Sequence, residues 1–214
     1  MVRIGVLASG SGTNFQALLD ADLGPGTIAV LVVNKPGAQA IQRAEAAGVP
    51  HVVVPHRAFA DRAAFDARLV EVLREHDVEW VVLAGFMRVL TPVFLDAFAP
   101  RVVNVHPALL PSFPGVDGQR QALEAGVAIA GCTVHLVDHG VDTGPILAQA
   151  AVGVHPTDDL DGLRRRILRE EHRLLPGVVR AICEGRLVMS PRPHLTGFDG
   201  AMSSLVNPPV GDPR

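Results

Sequence analysis

The stretch Ile4-Gly5-Val6-Leu7-Ala8-Ser9-Gly10-Ser11-Gly12-Thr13-Asn14 decides the fold. A short apolar run ends in a glycine-punctuated turn, and an amphipathic segment, Asn14–Ala21, follows at once. That reads as strand, tight turn and helix start, the opening unit of an α/β sheet. Glycines in such a turn let the backbone approach a ligand, and the helix N-terminus offers free N–H groups to an anion. The dinucleotide fingerprint is incomplete. No third glycine follows Gly12 at the required distance, and Asn34-Lys35 stands after the second strand where an acid would hold a ribose. No Gly-Lys-Ser/Thr is present, so a P-loop is excluded as well. The turn reads as a site for a single phosphate monoester, or else as glycines that serve backbone geometry alone.

The same alternation continues outward from this unit. Ala29–Val33, His51–Val54, Trp80–Ala84 and Val102–Val105 are further strands, apolar on both faces as strands covered by helices on both sides are. Ala38–Ala47 and Ala60–Glu75 are helical, the latter with Phe65, Leu69, Val72 and Leu73 at helical spacing. Thr91 and Pro92 mark a short helix, as N-cap and first helical residue. Val105–Gly115 is an ordered, proline-stiffened loop, and Gln119–Ala125 a short helix. Ile129–Val137 and Pro145–Val154 form a strand pair joined by Asp138–Gly144, and Asp159–Glu184 is a long helix interrupted near Pro176. The expected fold is α/β: a Rossmann-like, open twisted, mostly parallel sheet with helices on both faces and an antiparallel strand pair in the second half.

Composition narrows the function classes. The 214 residues suggest one domain, with 48% apolar and 19% charged residues and a mean hydropathy of +0.28, enough for a buried core. Net charge is −3 without a basic block, and aromatics are 4% with no Tyr, which argues against a nucleic-acid partner. No run approaches the roughly 20 apolar residues of a membrane span, and the first apolar run is too short for a signal peptide. Cys132 and Cys183 are too few and too far apart for a disulfide framework or a Cys-rich zinc site, and read as buried small hydrophobes. A cytoplasmic, soluble protein is the expectation.

Two further stretches can carry chemistry. In Asn104-Val105-His106-Pro107 the Asn and His share one face of a strand end, because side chains alternate with period two. That places an amide donor beside a group that titrates near neutrality, at the carboxyl edge where open α/β sheets bind ligands. In His135-Leu136-Val137-Asp138-His139-Gly140-Val141-Asp142-Thr143-Gly144-Pro145, a carboxylate in a Gly-bracketed loop either caps its own turn or holds an imidazolium. His135 and His139 with Asp138 could suggest a metal, but no second cluster supplies a further firm ligand at familiar spacing, so no metal is expected. Gly85–Leu90 lines a pocket or simply packs, and Arg164-Arg165-Arg166, offset by neighbouring acids, reads as a solvated helix face.

Taken together these motifs resemble the phosphoribosylglycinamide formyltransferase family. The resemblance rests on Ser9–Asn14, Leu83–Leu90, Asn104–Pro111, His135 and Asp142-Thr143-Gly144-Pro145-Ile146, and extends from residue 1 to about 190. It implies a formyltransferase domain over 1–190, with a phosphate-binding half to about 100 and a folate and catalytic half beyond, and a tail, loosely ordered at its end, over 191–214. It implies transfer of a formyl group from 10-formyltetrahydrofolate, as co-substrate, to the amine of 5'-phosphoribosylglycinamide. Asn104, His106 and Asp142 are then catalytic and His135 supporting. Gly12, Thr13, Asn14 and Glu171 hold the phosphoribosylglycinamide. Arg62, Met87, Arg88, Val89, Leu90, Asn104, Asp138, His139, Gly140, Val141 and Asp142 hold the folate. Phe113, His139 and Thr143 depart from the family's frequent Tyr, acid and Gly. A monomer or homodimer without nucleic acid, membrane or metal is implied. A methionyl-tRNA formyltransferase would carry a C-terminal domain and a basic face, and a formyltetrahydrofolate hydrolase an N-terminal regulatory domain.

Overall fold

The structure, a computed structural model, describes residues 1–197. Seven strands form one sheet: β1 (Val2–Ala8), β2 (Gly26–Val33), β3 (His51–Val53), β4 (Trp80–Leu83), β5 (Val102–His106), β6 (Ile129–Leu136) and β7 (Ile146–Gly153). Their order is β3-β2-β1-β4-β5-β6-β7. The first five pair in parallel, and β6 and β7 add antiparallel strands to the same edge. The expected strand pair is thus an extension of the main sheet and not a separate unit.

Alternation along the strands builds a core on each face. Ile4, Val6 and Ala8 pack with Phe15 and Leu18 of α1 (Thr13–Asp20), Ala40 and Ala44 of α2 (Ala40–Ala47), and Leu175 and Val178 of α6 (Leu160–Cys183). Leu7 faces the other way, toward Phe65 and Leu69 of α3 (Arg62–Glu75) and Phe94 of α4 (Pro92–Phe98). A third cluster joins Ala122 of α5 (Gly118–Glu124) to Cys132, Leu163 and Ile167. Both cysteines are buried and free, and burial pushes the Cys132 thiol up to about 12 and the Cys183 thiol up to about 11. They behave as small hydrophobes.

Some local expectations change. Helix α6 runs unbroken through Pro176. A proline inside a helix costs about 3 kcal/mol, and burial of Leu175, Val178, Val179 and Ile182, about 1.5–3 kcal/mol each, outweighs it. Thr91 stands at the N-cap of α4 with Pro92 in the first turn, but its hydroxyl makes no cap bond. The tail begins with order, since Leu187–Val188 (β8) and His194–Leu195 (β9) pair antiparallel across residue 190. Its expected loose end lies, from residue 198, outside the described residues. Among the described residues no helix is long and apolar enough to cross a membrane.

The chain leaves β1 toward β2 and β3 and returns on the other side at β4, so the order reverses beside β1. Loops leaving the carboxyl ends of adjacent strands diverge there and open a crevice. Ser9, 3% exposed, ties two of them together: its N–H donates to Gly85 O at 3.1 Å and its Oγ accepts from Met87 N at 2.9 Å.

Gly12 fixes the approach of the first loop to α2. Its φ is +70°, and a Cβ there would stand 2.6 Å from Ala40 Cβ and 2.8 Å from Ala40 Cα. Gly12→Ala must therefore move backbone, at about 1–3 kcal/mol. For a chain of this size the expected drop in Tm is about 2–10 °C. Calorimetry checks this, and an unchanged Tm would mean the contact is not tight.

Candidate active site

Two clefts meet at the switch point. One, of about 570 Å³, is walled by the Ser9–Asn14 loop, Lys35, and Arg164, Arg165 and Glu171 of α6. The other, of about 500 Å³, is walled by Gly85–Leu90, by Asn104 and His106, and by residues of 115–119 and 135–142. They share Gly85, Met87, Val105, Pro107 and Gln119, so ligands in the two can touch.

In the first cleft Gly12 caps α1 in left-handed backbone without a side-chain bond, leaving the first-turn N–H groups open. Asn14 and Glu171, expected together as substrate contacts, are both buried and joined, Asn14 Nδ2 donating to Glu171 Oε2 at 2.7 Å. Burial pushes the Glu171 carboxyl above its usual range against the opposing pull of that bond. Asn14 Oδ1 has no partner.

In the second cleft the sheet register assembles what separate stretches supply. Antiparallel pairing sets Asn104 opposite His135 and His106 opposite Thr133. Asn104 Nδ2 lies 3.1 Å from His135 Nε2. The His135 Nδ1–H donates to Leu136 O at 2.8 Å, so in the neutral ring Nε2 is the acceptor for Asn104. The register of β6 and β7 shifts between Val134 and His135, with Leu147 of β7 the extra residue just beyond the 137–145 connection. Asp138 holds that connection as an Asx turn, accepting from Gly140 N at 3.0 Å and Thr143 Oγ1 at 2.7 Å. Thr143 thereby braces the loop.

Asp142 then reaches across with φ +54°. Its Oδ2 lies 3.3 Å from His106 Nδ1 and accepts from Gly115 N at 2.8 Å. Its Oδ1 lies 3.4 Å from Asn104 Nδ2 and 3.6 Å from His135 Nε2. Burial alone would push its carboxyl up. The Gly115 N–H against it and the charge of His106 oppose that push, and the carboxyl lies below the usual carboxylate range. His106 Nε2 meets Phe113 O at 2.8 Å. Both ring nitrogens thus face oxygen acceptors, which a doubly protonated ring satisfies.

The loop that supplies Phe113 O and Gly115 N is clamped from β6. The buried Thr133 hydroxyl donates to Ala108 O at 2.7 Å and accepts from Leu110 N at 3.0 Å. Phe113 and Asp117 sit at φ +58° and +60°, so three of the four non-glycine residues with positive φ among the described residues flank this cleft. Strained backbone of this kind persists where surrounding contacts over-determine it, as at functional sites.

The expected residues divide clearly. Asn104, His106, His135, Asp142, Met87–Leu90, Asp138, Gly140 and Val141 line one cleft, and Gly12, Thr13, Asn14 and Glu171 the other. Arg62, exposed at the start of α3, lines neither. His139 turns outward to Asp96 of α4, 3.8 Å away, with both side chains exposed. Sequence reasoning missed Gly115, Val116, Asp117, Gln119, Lys35, Arg164 and Arg165. The two arginines were expected on a solvated face; Arg165 is exposed and Arg164 half-buried, and that same face borders the crevice. A signal was present in Asp161, Arg164, Arg165, Leu168 and Glu171, spaced along one side of a helix.

Residues 2–179 match the formyl transferase family, and the chain belongs to it. It is similar to the phosphoribosylglycinamide formyltransferase of Bacillus subtilis (strain 168), at 42% identity over 185 residues, covering 85% of this chain and 95% of that protein. It is also similar to the trifunctional purine biosynthetic protein adenosine-3 of Drosophila melanogaster, at 46% identity over 88% of this chain, although the chain spans only 14% of that protein's length. Among solved structures, glycinamide ribonucleotide transformylase 1 from Symbiobacterium toebii matches with a TM-score of 0.88 and 50% identity, over 91% of this chain and 93% of that one. The expected family and fold are thereby shown.

The depressed Asp142 carboxyl has a testable sign. Its ionised form contributes stability fully above the ordinary value of 3.8, and that contribution is lost as pH falls through the lower folded value. The gap in Tm between wild type and Asp142→Asn should therefore be wide at pH 6 and shrink below pH 3.8. Parallel curves in a calorimetric pH series would show that the carboxylate charge is not what His106 and Gly115 hold.

Proposed function

We propose that this chain transfers the formyl group of 10-formyltetrahydrofolate to the glycinamide amine of 5'-phosphoribosylglycinamide, a step of de novo purine synthesis. The observation that carries the reading is the meeting of a loop of open N–H groups and an Asn–His–Asp cluster, with His106 buried and Asn104 and Asp142 half-buried, in two clefts with a common wall. A phosphorylated amine in the first cleft and a folate-type donor in the second bring nucleophile and formyl carbon together at Met87, Val105 and Pro107. The relatives' names support this acceptor. The domain division at residue 190, with its phosphate and folate halves, belongs to the same proposal.

The chemistry is direct acyl transfer. The amine lone pair adds to the formyl carbon while the carbonyl pair moves onto oxygen. The tetrahedral intermediate then collapses, breaking the bond to the folate N10 as one proton passes from the amine to that nitrogen. Asn104 has two amide hydrogens, one on His135 and one in the long 3.4 Å contact to Asp142. The second is the one an oxyanion takes over. His106 has both nitrogens engaged, so it acts through the charge of its doubly protonated ring unless the bond to Phe113 O opens. A preorganised donor of this kind lowers a barrier by about 3 kcal/mol. Asp142 balances the imidazolium and, ionised at neutral pH, is the base that receives the amine proton and passes it on. His135 orients Asn104. Arg62 and His139 enter the folate assignment only through the resemblance.

The test is formyl transfer by purified protein with phosphoribosylglycinamide, and with the riboside lacking phosphate. Transfer is expected with the phosphate ester and at least tenfold lower kcat/KM with the riboside. His106→Ala and Asn104→Ala should each lose a hundredfold or more in kcat with Tm within about 5 °C of wild type. Near wild-type turnover in folded variants would remove the catalytic assignment, and no transfer by wild type would remove the function.

A further inference from the structure

Of the 19 Lys and Arg residues in this chain, Lys35 is the only lysine. It lies at the rim of the first cleft, just beyond β2, with its backbone fixed by Ala38 N donating to Lys35 O at 3.1 Å and by the buried Asn34 before it. The charges around that cleft do not cancel. Arg164 is engaged with Asp117 at 2.7 Å and Asp161 at 3.7 Å. Glu171 is buried and held by Asn14, whose Nδ2 donates to its Oε2 at 2.7 Å. Lys35 and Arg165 remain, both exposed and without an ion-pair partner among the described residues. They come from different elements, the end of β2 and the second turn of α6, and border the same loop of open N–H groups.

We infer that Lys35 and Arg165 are specificity-determining residues that select a phosphate monoester dianion over the uncharged riboside. This rests on the function proposed above. The loop N–H groups supply hydrogen bonds to a phosphate but no full charge. Two unpaired cations supply that charge, and they do so before contact, by attraction across a Debye length. Lysine at one of the two positions suits the task. An ammonium is a compact point charge that follows any phosphate oxygen, whereas a planar guanidinium fork demands a fixed bidentate geometry. A chain that otherwise uses arginine at every basic position uses an ammonium here.

The sole lysine makes the test direct. Wild-type protein is treated with an amine-acylating ester, with and without ribose 5-phosphate, and acylation at Lys35 is read by peptide mass. Ribose 5-phosphate should slow labelling at Lys35 at least fivefold, and ribose should not. In kinetics, Lys35→Gln and Arg165→Gln should each raise KM for phosphoribosylglycinamide about tenfold while KM for the formyl donor and kcat stay within twofold. Lys35→Arg should recover part of the loss. With the riboside, both Gln variants should match wild type. Both sites are exposed, so the variants keep the fold. An unchanged KM in both Gln variants, or labelling indifferent to ribose 5-phosphate, would overturn the inference. Protection by ribose 5-phosphate in a protein that does not formylate phosphoribosylglycinamide would instead retain the phosphate site and remove the acceptor.

Discussion

The candidate catalytic cleft depends on one carboxylate. Asp142 divides its two oxygens between strand β5, strand β6 and the loop after Pro107, touching His106 and Gly115 with one and facing Asn104 and His135 with the other. None of these segments adjoins it in sequence. Its left-handed backbone and the register shift at Leu147 of β7 are local irregularities at either end of the loop that carries it. Even a half-buried carboxylate is costly unless donors meet it, and here the groups around it outweigh burial. The interaction therefore fixes the cleft's shape and its charge at once.

Around that point the molecule is arranged as two walls on one base. The parallel sheet is the base, with apolar cores on both faces that leave its carboxyl edge free of packing duty. Ser9 and Thr133 then bind loops to each other and to the sheet through single buried hydroxyls. Breaking such a buried bond leaves unsatisfied partners at about 1–3 kcal/mol each, so these loops are held in place before any ligand arrives. That preorganisation is what an acyl-transfer site needs, because donors already aimed at the developing charge require no reorganisation during reaction.

Much of this was legible in the sequence, for identifiable reasons. The strand, Gly turn and helix at Ile4–Asn14 follow from apolar patterning and glycine chemistry, and Asn104 with His106 from period two. The resemblance supplied Asp142. Other parts arise only in three dimensions. Register puts His135 opposite Asn104, and the partners of His106 and Asp142 at Phe113 and Gly115 are backbone atoms, which residue types do not announce. Arg164 and Arg165 were assigned to a solvated face because their acidic neighbours balance them in sequence; in space Asp117 and Asp161 hold only Arg164. The resemblance assigned His139 and Arg62 to the folate, yet neither side chain lines the cleft.

The central claim is that the two clefts place an amine against a bound formyl group. It is tested most directly with a donor carrying carbon-13 in its formyl group, followed by NMR during turnover with phosphoribosylglycinamide. The account predicts that the label moves from the folate N10-formyl signal to the formamide signal of the acceptor. Label appearing as free formate, at the same rate with or without the acceptor, would contradict it.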